Sequence, residues 1–227
     1  MSAKVQVAID GPAGAGKSSV ARDVARELGY VYIDTGAMYR AVAYRALRAG
    51  LDADTDAAAI GELAGRLAFE FREADGERRL HVDGEDVSEV IRTPQVGNLS
   101  SPISAIAAVR EHLVAAQRAM AQAGGVVMEG RDIGTVVLPA ARVKVFLTAT
   151  PQERARRRMK QLAEKGVHQD IDEILADIQE RDHRDSTRDV APLRRSEGAV
   201  EIVSDGMEKA QVVATICQII RQAEEAL

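Results

Sequence analysis

A glycine-rich segment near the start of the chain restricts the possible folds more than any other feature. Residues 4–10, KVQVAID, have the pattern of a short buried strand, and residues 20–28 carry apolar side chains at helical spacing. Between them lies GPAGAGKSS, whose first eight residues match the phosphate-loop pattern G-x-x-x-x-G-K-[ST]. In such a loop, backbone N–H groups converge on phosphate oxygens, and the positive end of the following helix adds to the attraction. The segment therefore predicts a nucleoside triphosphate site at a strand-to-helix turn.

We expect every residue of this segment to line the triphosphate site: Gly11, Pro12, Ala13, Gly14, Ala15, Gly16, Lys17, Ser18 and Ser19. In this motif the lysine reaches the β- and γ-phosphates, and the serine hydroxyl helps to hold Mg²⁺. ATP and Mg²⁺ are thus the expected cofactors, with Ser18 as the metal-binding residue. A dinucleotide-binding loop fits less well, because the glycine spacing is not G-x-G-x-x-G and that motif has no use for Lys17.

The remaining periodicity predicts an α/β fold. Further buried strands are expected at 30–34, 125–130, 142–149 and 199–205, and helices at 37–50, 105–124 and 205–227. The β-α-β-α opening indicates a parallel sheet flanked by helices. Residues 67–87 instead alternate in polarity and contain Asp-Gly pairs at 75–76 and 83–84, which is typical of an antiparallel hairpin. We expect this hairpin to be an insertion into the α/β core.

Composition excludes several classes of function. A formal net charge of −5 argues against a nucleic-acid binder that works through a broadly basic surface. No run of about 18 apolar residues suggests a membrane span, and no signal-peptide pattern precedes the first strand. Cys217, the single cysteine, lies in an apolar helical stretch and is expected to be a buried thiol. We expect a cytoplasmic monomer that binds small-molecule nucleotides and neither nucleic acid nor a membrane.

Arginines concentrate in short motifs despite the acidic net charge: DTGAMYR (34–40), EGRDIGT (129–135), RARRRMK (154–160) and RDHRDSTRD (181–189). Phosphoryl transfer between two phosphorylated molecules explains them, because fixed positive charge must offset the repulsion between the two anions. An acceptor phosphate oxygen is already anionic, so no general base is required. The four histidines, in agreement, show no metal-ligand or triad spacing.

The stretch RDHRDSTRD has two readings. On a helix, Arg181, Arg184 and Arg188 would share one stripe and repel one another. Asp185 could pair with the first and the last of them, which would make the stretch an ordinary salt-bridged surface helix. Combined with the phosphate loop, the arrangement favours a stripe that is tolerated because an anion lies over it.

Taken together, the motifs resemble those of the bacterial cytidylate kinases, within the nucleoside monophosphate kinases. The segments IDGPAGAGKSS, DTGAMYRAVA, IRTPQVGNLSS, GRDIGTVV and RDHRDSTRDVAPL follow the order and spacing of that family, with Glu129 where the family more often has Asp. The resemblance implies transfer of the γ-phosphate of ATP to CMP or dCMP. It also implies three parts: a P-loop core (1–34, 126–153 and 191–227), a monophosphate-binding region with the insert (35–125), and a mobile helical lid (154–190).

The resemblance further implies roles for individual residues. Lys17, Arg131 and Arg188 are the expected catalytic residues, and Arg40 and Arg131 are expected to hold the acceptor phosphate, with Thr35 also in the substrate site. Ser101, Arg110 and Asp132 are expected to read the cytosine, and Arg181 and Asp185 to meet the ribose. Arg154, Arg157 and Arg158 belong to the lid segment, from which arginines are expected to fold over ATP.

Each assignment has a structural alternative. Arg110 could be a surface residue, Ser101 only a helix cap, and Asp132 part of a surface ion pair. Two other functions also remain open. A related kinase could use another phosphorylated acceptor or an alcohol, and an alcohol would need a base such as Asp34. Alternatively, the chain could be a non-catalytic nucleotide sensor.

Overall fold

The computed structural model describes residues 4–74, 77–164 and 166–227. The strands, in chain order, are β1 Gln6–Asp10, β2 Val31–Asp34, β3 Phe69–Ala74, β4 Glu77–Val82, β5 Glu85–Asp86, β6 Val126–Gly130, β7 Val143–Thr148 and β8 Val200–Val203. The α-helices are α1 Lys17–Leu28, α2 Thr35–Arg48, α3 Ala57–Arg66, α4 Pro94–Ile103, α5 Ala107–Ala121, α6 Pro151–Ala163, α7 Ile171–Thr187 and α8 Lys209–Glu225. A 3₁₀ turn covers Val90–Arg92, and a π-helical turn covers Ile133–Val137.

The chain forms two compact units. Unit 1 comprises Met1–Tyr32 and Gly124–Leu227, and unit 2 comprises Ile33–Ala123. Unit 2 corresponds closely in sequence to the region expected to bind the monophosphate, whereas residues 154–190 do not form a separate unit. The three-part division into core, monophosphate-binding region and lid stays a prediction.

Strands β6, β1, β7 and β8 form the framework of unit 1, as part of a five-stranded sheet with the order β2-β6-β1-β7-β8. The central strand β1 pairs in parallel with β6 and β7, and β7 pairs in parallel with β8. Val7, Ala8 and Ile9 are fully buried, as expected of a parallel strand that is covered on both faces. Helix α1 ends where Gly29 adopts a left-handed conformation, φ 63°, that glycine accepts without cost. Cys217 of α8 lies in the same apolar core, as expected.

Unit 2 combines four helices with a small antiparallel sheet of order β3-β4-β5. The expected hairpin is confirmed, since Phe69 of β3 pairs with Val82 of β4. Its predicted turn at 75–76 lies outside the described residues. Helices α3 and α5 approach closely at Gly61, where a Cβ atom would lie 2.6 Å from that of Ala108. These elements enclose a second apolar core around Met38 and Leu113.

The predicted fold class is confirmed, and the element limits shift by a few residues. The helix expected at 105–124 runs from 107 to 121, and α3 and α4 were not among the predicted elements. Within the described ranges, none of the helices combines the length and the apolar character that a membrane crossing requires.

Candidate active site

The phosphate loop joins the end of β1 to the start of α1, as its sequence predicts. Gly11 lies so close to β7 that a Cβ atom there would come within 1.9 Å of the carbonyl oxygen of Leu147. Gly16, with φ 90°, is the residue before the first turn of α1. Ser18 and Ser19 are exposed at the start of that helix, and the Ser19 hydroxyl donates to the carbonyl of Gly16. The loop therefore needs glycine for close approach and for turning.

Lys17 is buried, with only 5% of its surface exposed. The ammonium donates to the carbonyl of Pro12 at 2.7 Å. Burial lowers the pKa of Lys17 to about 7, and the positive charge of Arg131 adds to the effect, while Glu129 opposes it. A buried ammonium whose charge is disfavoured in this way is well suited to bind an anion, because nearby negative charge would raise its pKa again.

Arg131 and Asp132 follow directly after β6, at the same end of the sheet as the phosphate loop. Arg131 donates from Nε to Oδ2 of Asp185 at 2.9 Å, so the predicted phosphate ligand has a fixed orientation. Asp132 is 4% exposed, and its Oδ1 lies 3.8 Å from a terminal nitrogen of Arg188. It is therefore part of a buried cluster and not a surface ion pair.

The stretch 181–189 does not form the uniform helical stripe that its spacing suggested. Helix α7 ends at Thr187, and Arg188 has extended backbone angles of −61° and 142°. Its Nε donates to the carbonyl of Ala191 at 2.8 Å. Arg184, by contrast, is half-exposed and lies 3.7 Å from Glu180. The structure thus separates the arginines of this stretch by environment.

Asp185 is the anion among these guanidinium groups. Burial alone would raise its pKa, but Arg131, Arg181 and Arg188 together outweigh burial and hold the pKa below its usual range. Its contact with Arg131 was not anticipated from the sequence, where Asp185 was assigned to the ribose. The carboxylate can orient Arg131 whatever else it binds.

The arginines of the predicted lid differ in their contacts. Arg154 is 3% exposed and donates to the carbonyls of Ala149 and Ala13 and, from both terminal nitrogens, to Asp182. Arg157 donates to Glu153 and to Ser204. Only the third, Arg158, is exposed on the surface of α6. Contact of these three residues with ATP stays a prediction, and the geometry gives Arg154 a supporting position beneath the loop.

The predicted site residues of unit 2 lie on three helices. Asp34 caps α2 by accepting from the backbone of Ala37, and its second oxygen lies 3.0 Å from a terminal nitrogen of Arg40. Among the described residues, the buried Nε of Arg40 has no hydrogen-bond partner, which leaves a donor for an anion. Thr35, the first residue of α2, is buried.

The structure contradicts the structural alternatives for the two residues of unit 2 that are expected to read the base. Arg110 is 4% exposed, so it is not a surface residue; it donates to the carbonyl of Ser104 and lies over the ring of Tyr39. Ser101 lies within the last turns of α4, just before Pro102, and is therefore not an N-terminal cap.

Two buried carboxylates near Lys17 were missed as site residues by sequence reasoning. Glu129 is 4% exposed and accepts from the hydroxyl of Tyr32 at 3.1 Å. Asp10, the last residue of β1, accepts from two backbone N–H groups of the turn after β6. The only available signal was their position next to glycine at a strand end. No group of three or more His, Cys, Asp or Glu side chains suited to a metal ion occurs in the described part of the chain.

Comparison with known proteins identifies the family of this chain. The profile of the family described as "Cytidylate kinase" matches residues 7–222. A cytidylate kinase of Enterococcus faecalis is 48% identical over 96% of this chain and 96% of its own length, and one of Mycobacterium leprae is 50% identical over 98% of each. An uncharacterized protein from Eubacterium ventriosum shares the fold, with a TM-score of 0.52 at 11% identity over 96% of this chain and 99% of its own. Because the match in sequence spans almost the whole chain, this protein belongs to the cytidylate kinase family.

Proposed function

We propose that this chain transfers the γ-phosphoryl group of ATP to CMP or dCMP, giving ADP and CDP or dCDP. Membership of the cytidylate kinase family supports the reaction and its substrates. The observation that carries the proposal is the position of Arg131 beside the phosphate loop in unit 1: Asp10, the residue before the loop, is in register with Gly130, the residue before Arg131. Two cations placed beside one phosphate loop suit a reaction that brings two phosphorylated molecules together.

In this reaction an oxygen of the CMP phosphate forms a bond to the γ-phosphorus, and the bond from that phosphorus to the β–γ bridging oxygen breaks. The electron pair leaves on the β-phosphate of ADP. We propose that Lys17 stabilises the β- and γ-phosphates, and that Arg131 and Arg188 stabilise the transferred group. The attacking oxygen is already anionic, so Asp34 need not act as a base, and its pairing with Arg40 fits a phosphate-positioning role better.

The proposal keeps the ligand roles that the family resemblance implies. Arg40 and Thr35 hold the acceptor phosphate, and Ser101 and Arg110 read the base. Asp132 accepts from the cytosine 4-amino group, and Arg181 and Asp185 meet the ribose. The 4-oxo group of uracil would face the carboxylate of Asp132 lone pair to lone pair, which favours cytosine.

Mg²⁺ fits the residues present. The exposed hydroxyl of Ser18 stands at the start of α1, and Mg²⁺ commonly binds through one or two protein oxygens, substrate phosphates and water. When bound, the ion would neutralise charge on the ATP phosphates. The protein residues orient both substrates and exclude water from the transferred phosphoryl group.

ATP consumption over a panel of acceptors tests the proposal. CMP and dCMP should stimulate ADP formation strongly, with UMP weaker and AMP and GMP close to background. Stimulation by a small alcohol alone would support the alternative kinase. Tight ATP binding without turnover on any monophosphate would support a sensor, and either result would overturn the proposed reaction.

A further inference from the structure

We propose that Asp10 is a positioning residue whose carboxylate fixes the turn after β6, and with it Arg131 and Asp132, relative to the phosphate loop. This inference rests on the proposed function, since it concerns how residues of the transfer reaction are held. Asp10 itself is not expected to touch either substrate.

The position of Asp10 joins the two segments directly. It is the last residue of the central strand β1, and Gly11, the first residue of the phosphate loop, follows it. Across the sheet it is in register with Gly130 at the end of β6. A side chain at this point can therefore reach the turn that carries Arg131 and Asp132 without any intervening element.

The contacts show a two-point attachment. One carboxylate oxygen of Asp10 accepts from the backbone N–H of Ile133 at 2.7 Å, and the other accepts from the N–H of Gly134 at 2.7 Å. These N–H groups open the π-helical turn, whose later amides of Val136 and Val137 bond to the carbonyl of Asp132. Asp10 thus fixes the start of the turn, immediately after Asp132.

A carboxylate at this buried position is costly for folding. Asp10 is 2% exposed, and burial raises its pKa to about 6, although the hydrogen bonds from the backbone N–H groups of Gly134 and Ile133 oppose this shift. Only a carboxylate of this length offers two acceptors, since asparagine would turn its amide toward one of the N–H groups. The double attachment explains why a charge is retained where a neutral residue would cost less.

Gly134 completes the arrangement. A Cβ atom at this residue would lie 2.6 Å from the hydroxyl of Ser196 and 3.3 Å from Oδ2 of Asp10. Glycine therefore allows the turn to approach the carboxylate closely. An alanine would push the same amide away while leaving Asp10 intact, which offers an independent way to loosen the attachment.

Loosening this turn should affect the chemical step more than ATP binding. The phosphate loop binds ATP largely through its own backbone, whereas Arg131 must meet the transferred group in one orientation. A misplacement of about 1 Å can cost roughly a hundredfold in rate. We therefore expect Asp10→Asn to lower kcat at least tenfold while the KM for ATP changes less than threefold.

The matched control is Asp52→Asn. Asp52 also accepts from two backbone N–H groups, of Asp54 and Thr55, but it lies in an exposed turn of unit 2. This variant should keep wild-type kcat and KM. Gly134→Ala should reproduce the kinetic pattern of Asp10→Asn, and the double variant should be little worse than the poorer single one, because both loosen one attachment.

Wild-type turnover of CMP is the reference for the whole experiment, and its absence would refute the proposed function. With wild-type turnover present, an Asp10→Asn protein that loses stability but keeps its kcat would overturn the positioning role alone. If Asp10→Asn fails to fold, Gly134→Ala decides: unchanged kcat in that variant would likewise overturn the inference.

Discussion

Arg131 and Asp185 are joined by a 2.9 Å hydrogen bond from Nε to Oδ2, although 54 residues separate them in sequence. The pair lies largely out of solvent, with side-chain exposures of 20% and 8%. An arginine bound through Nε keeps its terminal nitrogens available in a fixed plane. The carboxylate thus orients a guanidinium that we propose to act on the transferred phosphoryl group.

The first prediction concerns this pair. Asp185→Asn keeps an acceptor for Arg131 but removes the anion among Arg131, Arg181 and Arg188. We expect kcat to fall about tenfold or more, equivalent to at least about 1.4 kcal/mol of transition-state stabilisation. Steady-state kinetics with CMP and ATP would measure this. Glu180→Gln, at the exposed partner of Arg184, serves as control and should leave kcat unchanged.

The same pair predicts a pH dependence of stability. The pKa of Asp185 is held below its ordinary value of 3.8, so the folded state binds the proton less tightly than the unfolded state. Its stabilising contribution is therefore present above pH of about 4 and lost as the pH falls through the lower folded pKa. Melting temperatures of wild type and Asp185→Asn should differ most near neutral pH and converge in acid. A constant difference at every pH would contradict the role of the charge.

Lys17→Met should separate activity from stability. Removing the ammonium should lower kcat by at least roughly a hundredfold, as expected for a charged group that stabilises the transition state. The variant should nevertheless be more stable below neutral pH, because burial has lowered the pKa of Lys17 to about 7 from 10.5. Between these two pKa values the unfolded state binds more protons than the folded state. The free energy of unfolding of the wild type therefore increases with pH, and the stability advantage of Lys17→Met becomes smaller. Denaturant unfolding of both proteins from pH 6 to 10 would check the trend. An advantage of the variant in free energy of unfolding that increases with pH would contradict it.

The sequence predicted those features that depend on local pattern. Buried strands, amphipathic helices and the phosphate loop follow from the spacing of apolar residues and glycines, and each was found within a few residues. The order of motifs was sufficient to predict the family. The burial of Lys17 was not predicted, because the packing of α1 against β6 depends on the fold and not on neighbouring positions.

Contacts between residues that are distant in the chain could not be predicted, because they leave no local pattern in the sequence. The attachment of Asp10 to Ile133 spans 123 residues, and the bond of Arg154 to Ala13 spans 141. The end of α7 at Thr187 was also missed, since no glycine follows it and Arg188 continues the helical charge pattern. Residue types alone could identify candidate ligands but could not separate a substrate contact from an internal one.

Arg154 provides a direct test of that distinction. Its buried guanidinium pairs with Asp182 at 2.6 Å, so Arg154→Met should leave a carboxylate without its partner. We expect the free energy of unfolding to fall by about 3 kcal/mol and the Tm to fall by roughly 6–12 °C. Arg156→Met, at an exposed position on the same helix, should change Tm by about 3 °C or less. A raised KM for ATP with unchanged Tm would instead make Arg154 an ATP ligand.

Base discrimination should depend on Asp132. In Asp132→Asn the amide can donate to the 4-oxo group of uracil, so the ratio of kcat/KM for CMP over UMP should narrow. One polar contact of this type is worth about 1–3 kcal/mol, or roughly tenfold to a hundredfold. The ratio is the informative quantity, because loss of the nearby interaction with Arg188 would slow both substrates alike. An unaltered ratio would remove Asp132 from the base site.

Arg188→Lys tests whether the arginine after α7 acts on substrate or only on the protein. Its side chain is 9% exposed, Nε is bound to Ala191, and a terminal nitrogen points toward Asp132 at 3.8 Å. A guanidinium can make these contacts and still present paired donors to two phosphate oxygens, whereas an ammonium is a single point charge. We expect kcat to fall tenfold or more, which corresponds to a loss of at least about 1.4 kcal/mol of transition-state stabilisation.

The matched control is Arg184→Lys, three residues before the end of the same helix. Arg184 is 50% exposed and meets only Glu180 among the ion pairs of the described residues, at 3.7 Å. Such an exposed pair contributes about 0–1 kcal/mol, so this variant should match wild type in both Tm and kcat. Equal and small effects on kcat at 184 and 188 would support the alternative that the whole stretch is a solvated, salt-bridged surface. A large loss of kcat confined to 188 would instead show that the environment, not the charge pattern, selects the arginine that serves the reaction.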